Sequence, residues 1–144
     1  MGNLLSLIAI LISVFTWFKQ DSLNKKINST NLNAVFFEKI YFEIIIDKIP
    51  EAQEKIYHDP ITHKLMGTED MEKILSEIRK KSRFFRYTDE TYYKELKEKS
   101  LLIDEMYVEN MNLDNIEFSK FVENHEEKLK VLYSIIIHKY LEGT

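Results

Sequence analysis

The chain holds 144 residues, 44% of them hydrophobic and 31% charged, with a net charge of −4; this is the balance of one folded domain and offers no bulk attraction for nucleic acid. Three glycines and two prolines supply little turn chemistry for a β-rich architecture, so helices are expected. No cysteine is present, which excludes disulfides, thiolate catalysis and cysteine-built metal sites and suits a cytoplasmic body.

The first element in chain order is the uncharged run from Leu4 to Phe18. A secretory signal would place positive charge before the run and small residues after it. Here no Lys or Arg precedes it, and Thr16-Trp17-Phe18-Lys19-Gln20 follows, so cleavage is not expected. Met1-Gly2-Asn3-Leu4-Leu5-Ser6 matches the myristoylation pattern, but a helix that is already apolar hardly needs an acyl chain. The remaining reading is a retained single-pass membrane helix over residues 1–20. The uncharged run rises only about 22 Å against a hydrocarbon core near 30 Å, so it spans with local thinning, Trp17 at the interface and Lys19 snorkelling. An interfacial or partner-buried helix is the alternative. Lys19, Lys25 and Lys26 lie after the run, which places the rest of the chain on the cytoplasmic side of the inner membrane.

The run is not uniformly apolar. On a helical wheel Asn3, Ser6, Ser13, Thr16 and Gln20 fall within an arc of roughly 140°, opposite Leu4, Leu7, Ile8, Leu11, Val14, Phe15 and Phe18. Small polar residues on one face suit close helix–helix contact or the wall of a water-filled assembly, so a homo-oligomer is expected, with this stripe as its helix–helix or pore surface.

Residues 21–32 read as a polar linker or a continuation of the helix, and 33–144 as a cytoplasmic helical bundle. Phe36, Phe37, Ile40, Tyr41, Ile44 and Ile45 recur at helical spacing until Pro50, which is expected to end or kink the helix. "DPITHKLMG" reads as a loop. Thr68 offers an N-cap to a helix carrying Met71, Ile74, Leu75, Ile78 and Phe85. Thr88 or Asp89 caps a third, with Tyr92, Leu96, Leu101, Leu102 and Met106 inward. Asp114 or Asn115 opens a fourth through Phe118, Phe121, Val122, Leu129, Leu132, Ile135, Ile136 and Tyr140, which Gly143 stops. The fold class expected is therefore all-α, an antiparallel four-helix bundle behind an N-terminal membrane helix. The apolar runs "YFEIIID" and "YSIIIH" sit inside helical patterns and read as helix.

Among side chains with chemistry, "RKKSRFFRY" is the densest cationic stretch, with Arg79, Lys80, Lys81, Arg83 and Arg86 around Phe84, Phe85 and Tyr87. Such a patch holds phosphates of RNA or of anionic lipid headgroups; equally, cations belong at a helix C-terminus, where they complement the dipole. His58, Asp59 and His63 in "HDPITH" lack zinc-ligand spacing, so no metal is expected. No nucleophile elbow, P-loop or dinucleotide fingerprint occurs, so neither enzyme activity nor a cofactor is expected. The arginine-to-histidine spacing of the HEPN ribonucleases is also absent, because no histidine closely follows Arg79, Arg83 or Arg86.

In layout the chain resembles the small membrane-pore accessory proteins of type VI-B CRISPR systems. The likeness covers the N-terminal run, the Lys-bearing junction and a HEPN-sized helical body that includes "FFEKIYFEIIIDKIPEAQEKIY" and "EIRKKSRFFRY". It implies a ring of copies with membrane helices at the centre, and depolarisation of the cell in antiviral defence. Two functional readings follow. One is a membrane effector that oligomerises and forms or gates a pore. The other is a membrane-tethered docking module that binds a defence-system protein or RNA through Arg79 to Arg86.

Overall fold

The computed structural model describes residues 19–25, 27, 32, 34–112 and 115–141. The described chain is predominantly helical, as the composition requires, and its helices form a bundle around one core. Residues 21–25, 27 and 32, within the expected linker, have helical backbone. Among the described residues no helix is long and apolar enough to cross a membrane. The run from Leu4 to Phe18 lies outside them, and with it Asn3, Ser6, Ser13 and Thr16.

The first helix of the body, α1, follows helical residues 34–37. It joins two π-helical stretches, Glu38–Phe42 and Ile44–Lys48, to an α-helical segment, Ile49–Glu54. In the wide stretch the N–H of Ile49 bonds the carbonyl of Ile44, five residues back. The next bond of that register would need an N–H from Pro50, which has none. The Ile45 carbonyl is satisfied instead by the Tyr133 hydroxyl, 3.3 Å away. Pro50 therefore marks where the helix returns to α geometry, so of the two sequence alternatives, an end or a kink, the end is excluded. Tyr41, Ile44, Ile45, Ile49 and Ala52 are the residues that α1 buries.

"DPITHKLMG" is not an irregular loop. It supplies most of an antiparallel hairpin, β1 Tyr57–Asp59 and β2 Lys64–Met66, with Tyr57 opposite Met66. The Asp59 carboxylate closes the turn, accepting the Ile61 N–H at 2.9 Å and the Thr62 hydroxyl at 2.6 Å. These bonds hold its carboxyl below the usual range, the Thr62 hydroxyl first. The hairpin is tied to the bundle by the Leu65 N–H on the Met111 carbonyl, 3.1 Å. Gly67 follows with φ of 80°, packed against the backbone carbonyl of Lys55.

Next, α2 spans Glu69–Lys81 and buries Met71, Ile74, Leu75 and Ile78, the expected stripe. Thr68 sits at the N-cap position as expected. Its hydroxyl, however, donates to the Glu72 carboxylate at 2.8 Å instead of capping the backbone. A 3-10 turn, Ser82–Phe84, and the short α3, Phe85–Thr88, lead to Asp89. The Asp89 carboxylate accepts the Tyr92 N–H at 3.1 Å and caps α4, Glu90–Glu109. The buried stripe of α4 runs through Ser100 and Ile103, while Leu101, expected inward, is exposed. Finally α5, Asn115–Leu141, buries Phe121, His125, Leu129, Leu132 and Ile136 and leaves Val122 exposed. Both apolar runs read as helix are helix.

Cross-helix contacts fix the directions. Lys48 meets Glu77 at 3.2 Å and Lys55 meets Asp70 at 2.7 Å, so α1 and α2 are antiparallel. Arg79 meets Asp104, and Tyr92 reaches Tyr41 beside Ser82, so α4 runs antiparallel to α2. Tyr107 meets His125 and Asp89 meets Lys139, which reverses α5 against α4. The Phe37–Tyr140 ring pair at 4.7 Å brings the end of α5 back to the start of α1. One end of the bundle therefore holds the start of α1, the end of α2 and α3. The hairpin and the end of α4 lie at the other.

Candidate functional site

The segment from Arg79 to Tyr87 forms the turn between α2 and α4, and two inward residues decide how it presents its charges. Ser82 and Phe85, three apart, point into the core and are almost fully buried. The residues between and after them point outward. Phe85 packs edge-on against Tyr92, with ring centroids 4.9 Å apart, and against Phe36 at 5.8 Å. Ser82 ends a chain of buried hydroxyls: Tyr92 donates to Tyr41 at 3.1 Å, Tyr41 to Ser82 at 2.8 Å, and Ser82 to the Ile78 carbonyl at 2.6 Å. Every member has a partner, so the chain anchors the turn. Burial pushes the phenols of Tyr41 and Tyr92 up, and neither ionises at physiological pH.

The five cations of this stretch separate into two groups. Arg79 turns back into the bundle, its guanidinium 2.7 Å from the Asp104 carboxylate and 3.3 Å from the Ser100 hydroxyl. Lys81 pairs with Glu77 at 2.7 Å. Lys80, Arg83 and Arg86 are exposed and make no ion pair among the described residues. Beside them stand Phe84, half exposed, and Tyr87, 85% exposed. The outward surface is thus three cations and two aromatic rings. Arg79 is a structural member of the bundle.

Arg79 serves a carboxylate in need of it. Asp104 is only 24% exposed, its Oδ1 is buried without a hydrogen-bond partner, and burial pushes its carboxyl up despite the guanidinium. We expect Arg79→Met to cost about 2 kcal/mol, between the values for exposed and buried pairs, because it strands that carboxylate. Urea unfolding measures this, and adding Asp104→Leu restores most of the loss. A single variant as stable as the parent would show the pair to be idle.

The other sequence candidates fall elsewhere. Gln20 is exposed on helical backbone. His58 packs on Phe118 with ring centroids 5.8 Å apart and lies 5.9 Å from the ring of His63, while Asp59 is spent on its turn. No group of three metal-capable side chains occurs among the described residues. Two features escaped the sequence reading: the buried Tyr107–His125 pair, with Nε2 2.7 Å from the phenol oxygen, and the cleft beneath the hairpin. A His followed four residues after Phe121 on an apolar face was the available signal for the first. Comparison with protein-family models, with curated proteins and with solved structures finds no match to this chain.

Proposed function

We propose that this protein is a membrane-anchored helical effector that oligomerises and forms or gates a membrane pore in bacterial antiviral defence. The observation that carries the reading is a coincidence of ends. Phe36, which follows the N-terminal run in sequence, packs at a tilt of 43° against Phe84 with centroids 4.9 Å apart. The cationic–aromatic turn therefore lies at the end of the bundle that holds the start of α1, to which the N-terminal run is joined in sequence. A membrane-facing end with Lys80, Arg83 and Arg86 is favoured beside anionic headgroups by about 1 kcal/mol per cation near the surface. Exposed Phe84 and Tyr87 suit the same interface. The antiparallel helical body and the layout shared with type VI-B CRISPR pore partners, including the HEPN-like size, support the defence setting.

The polar stripe carries the pore function in this reading. Full-length protein reconstituted in vesicles of mixed zwitterionic and anionic lipid should release potassium. Ser6→Leu, Ser13→Leu and Thr16→Leu together should cut that release at least tenfold while leaving the protein in the membrane. Arg83→Glu with Arg86→Glu should weaken binding to anionic vesicles. Efflux untouched by the triple change would overturn the pore. Efflux absent throughout, together with RNA binding lost in the double glutamate variant, would favour the docking module instead.

A further inference from the structure

The end of the bundle away from the start of α1 carries a second surface, and nothing in the membrane reading uses it. The hairpin leans over the first turn of α2 and the last turns of α4, enclosing a cleft of about 490 Å³. Its apolar lining is Leu65 and Met66 from β2, Val108 from α4, Met111 beyond it, and the ring of Tyr107 beneath, with Lys64, Thr68 and Asn112 among them. Of these, Val108 and Met111 are open to solvent to an unusual degree, at 71% and 58%, whereas Tyr107 and Leu65 belong to the packed base. Tyr57, cross-strand partner of Met66, is half exposed, and Ile61 stands at 88% on the tip of a turn that Asp59 holds rigid. Apolar side chains this exposed at one end of a fold mark an interaction surface.

The rim of the cleft is acidic. Glu69 and Glu72 line it from α2, and Glu105 and Glu109 flank Val108 along α4. All four are exposed and make no ion pair among the described residues, and Lys64 is the single cation in the lining. Methionine side chains re-pack around differently shaped partners at little cost. An apolar floor of this kind inside an acidic rim is complementary to a helix with one apolar face and basic flanks.

We infer that this cleft docks a basic amphipathic helix of a partner protein, whose apolar anchors enter between the hairpin and Val108 while its Lys and Arg pair with Glu69, Glu72, Glu105 and Glu109. The inference goes beyond the pore reading and stands or falls separately. It requires only the hairpin end of the bundle, and its test contains no measurement of efflux.

The test uses methionine methyl groups as reporters. The chain has five methionines; Met66 and Met111 lie in the cleft, whereas Met71 and Met106 are buried in the core. Full-length protein labelled at the methionine methyl carbon, in zwitterionic nanodiscs, is titrated with an eighteen-residue Leu/Lys amphipathic peptide and, separately, with its Leu/Glu counterpart. Empty nanodiscs give the background. The Met66 and Met111 resonances should move with the Lys peptide and stay with the Glu peptide, while Met71 and Met106 stay in both. Val108→Asp separates docking from charge attraction. It adds a negative charge yet should weaken binding at least tenfold, because it destroys the apolar floor. Shifts spread over all the methionines, equal response to the Glu peptide, or tighter binding by the Val108→Asp protein would each overturn the proposal. Retained far-ultraviolet circular dichroism in Val108→Asp guards against misfolding, and Val108→Ser serves as the milder variant if it fails to fold.

Discussion

Gly67→Ala should destabilise the protein by about 3 kcal/mol and lower its Tm by roughly 10 °C. Two effects add at this position. The backbone holds φ at 80°, in the left-handed region where an L side chain is strained. A Cβ built there would also run into the backbone carbonyl of Lys55, which cannot rotate away as a flexible side chain would. Relief requires the exit of β2 to move from the end of α1, and that movement opens the cleft under the hairpin. Thermal unfolding followed by circular dichroism measures the loss. The effect should be largest for Ala and any larger residue, and an unchanged melt would mean that the chain passes this point in another conformation.

The second large effect is a loss of stability on acidification that traces to one histidine. His125 is 4% exposed, and burial lowers its pKa from 6.5 to about 4. Its Nε2 lies 2.7 Å from the Tyr107 hydroxyl, a hydrogen bond that the neutral imidazole makes in either direction according to its tautomer. Above pH 6.5 the ring is neutral in the folded and unfolded chains alike, so it adds no pH dependence. Between 6.5 and 4 the unfolded chain takes up a proton that the folded chain refuses. Stability therefore falls with pH across that window, by up to ~3 kcal/mol once pH reaches 4. Carboxylates titrate over part of the same range, so the measurement is a difference. Urea unfolding of the parent and of His125→Gln, which keeps an acceptor for Tyr107 without a titrating group, should diverge progressively below pH 6.5. Parallel curves would show that His125 charges in place at no cost.

Much of the fold was legible because helical periodicity was strong where packing is simple. Met71, Ile74, Leu75 and Ile78 fall on one face in sequence and in the bundle. The cap of α4 was readable to within one residue, Thr88 or Asp89, and it is the Asp89 carboxylate that accepts the Tyr92 N–H. The misreadings share a cause, which is dependence on partners distant in sequence. The hairpin has short strands, and part of its bonding goes to Met111 at the end of α4, so no local pattern announces it. Leu101 is exposed and Ser100 buried because the Arg79 guanidinium supplies a polar partner at that level. That same contact removes Arg79 from the outward cationic surface, and a composition count could not separate it from Arg83 and Arg86. Pro50 left two alternatives open in the sequence, and the helix runs on through it because the carbonyl it leaves without an N–H is rescued by Tyr133.

The wide stretch of α1 sets an azimuth as well as a path. An α-helix advances about 100° per residue, and a helix bonded five residues apart advances less, by roughly 15–20°. Over the two π-helical stretches, Glu38–Phe42 and Ile44–Lys48, that deficit accumulates to the order of half a turn. Residues riding on the helix ahead of Glu38 thus look in nearly the opposite direction from the one that a uniform wheel, drawn back from Ile49, assigns them. The stretch acts as a phase shifter between the body and whatever its first helix carries. The hydrogen-bond register of the stretch, and not the side chains of residues 34–37, decides which way that preceding turn faces. Losing one residue from either stretch would let its other residues close to α geometry at about 100° each, so the turn ahead would keep nearly the direction it has now.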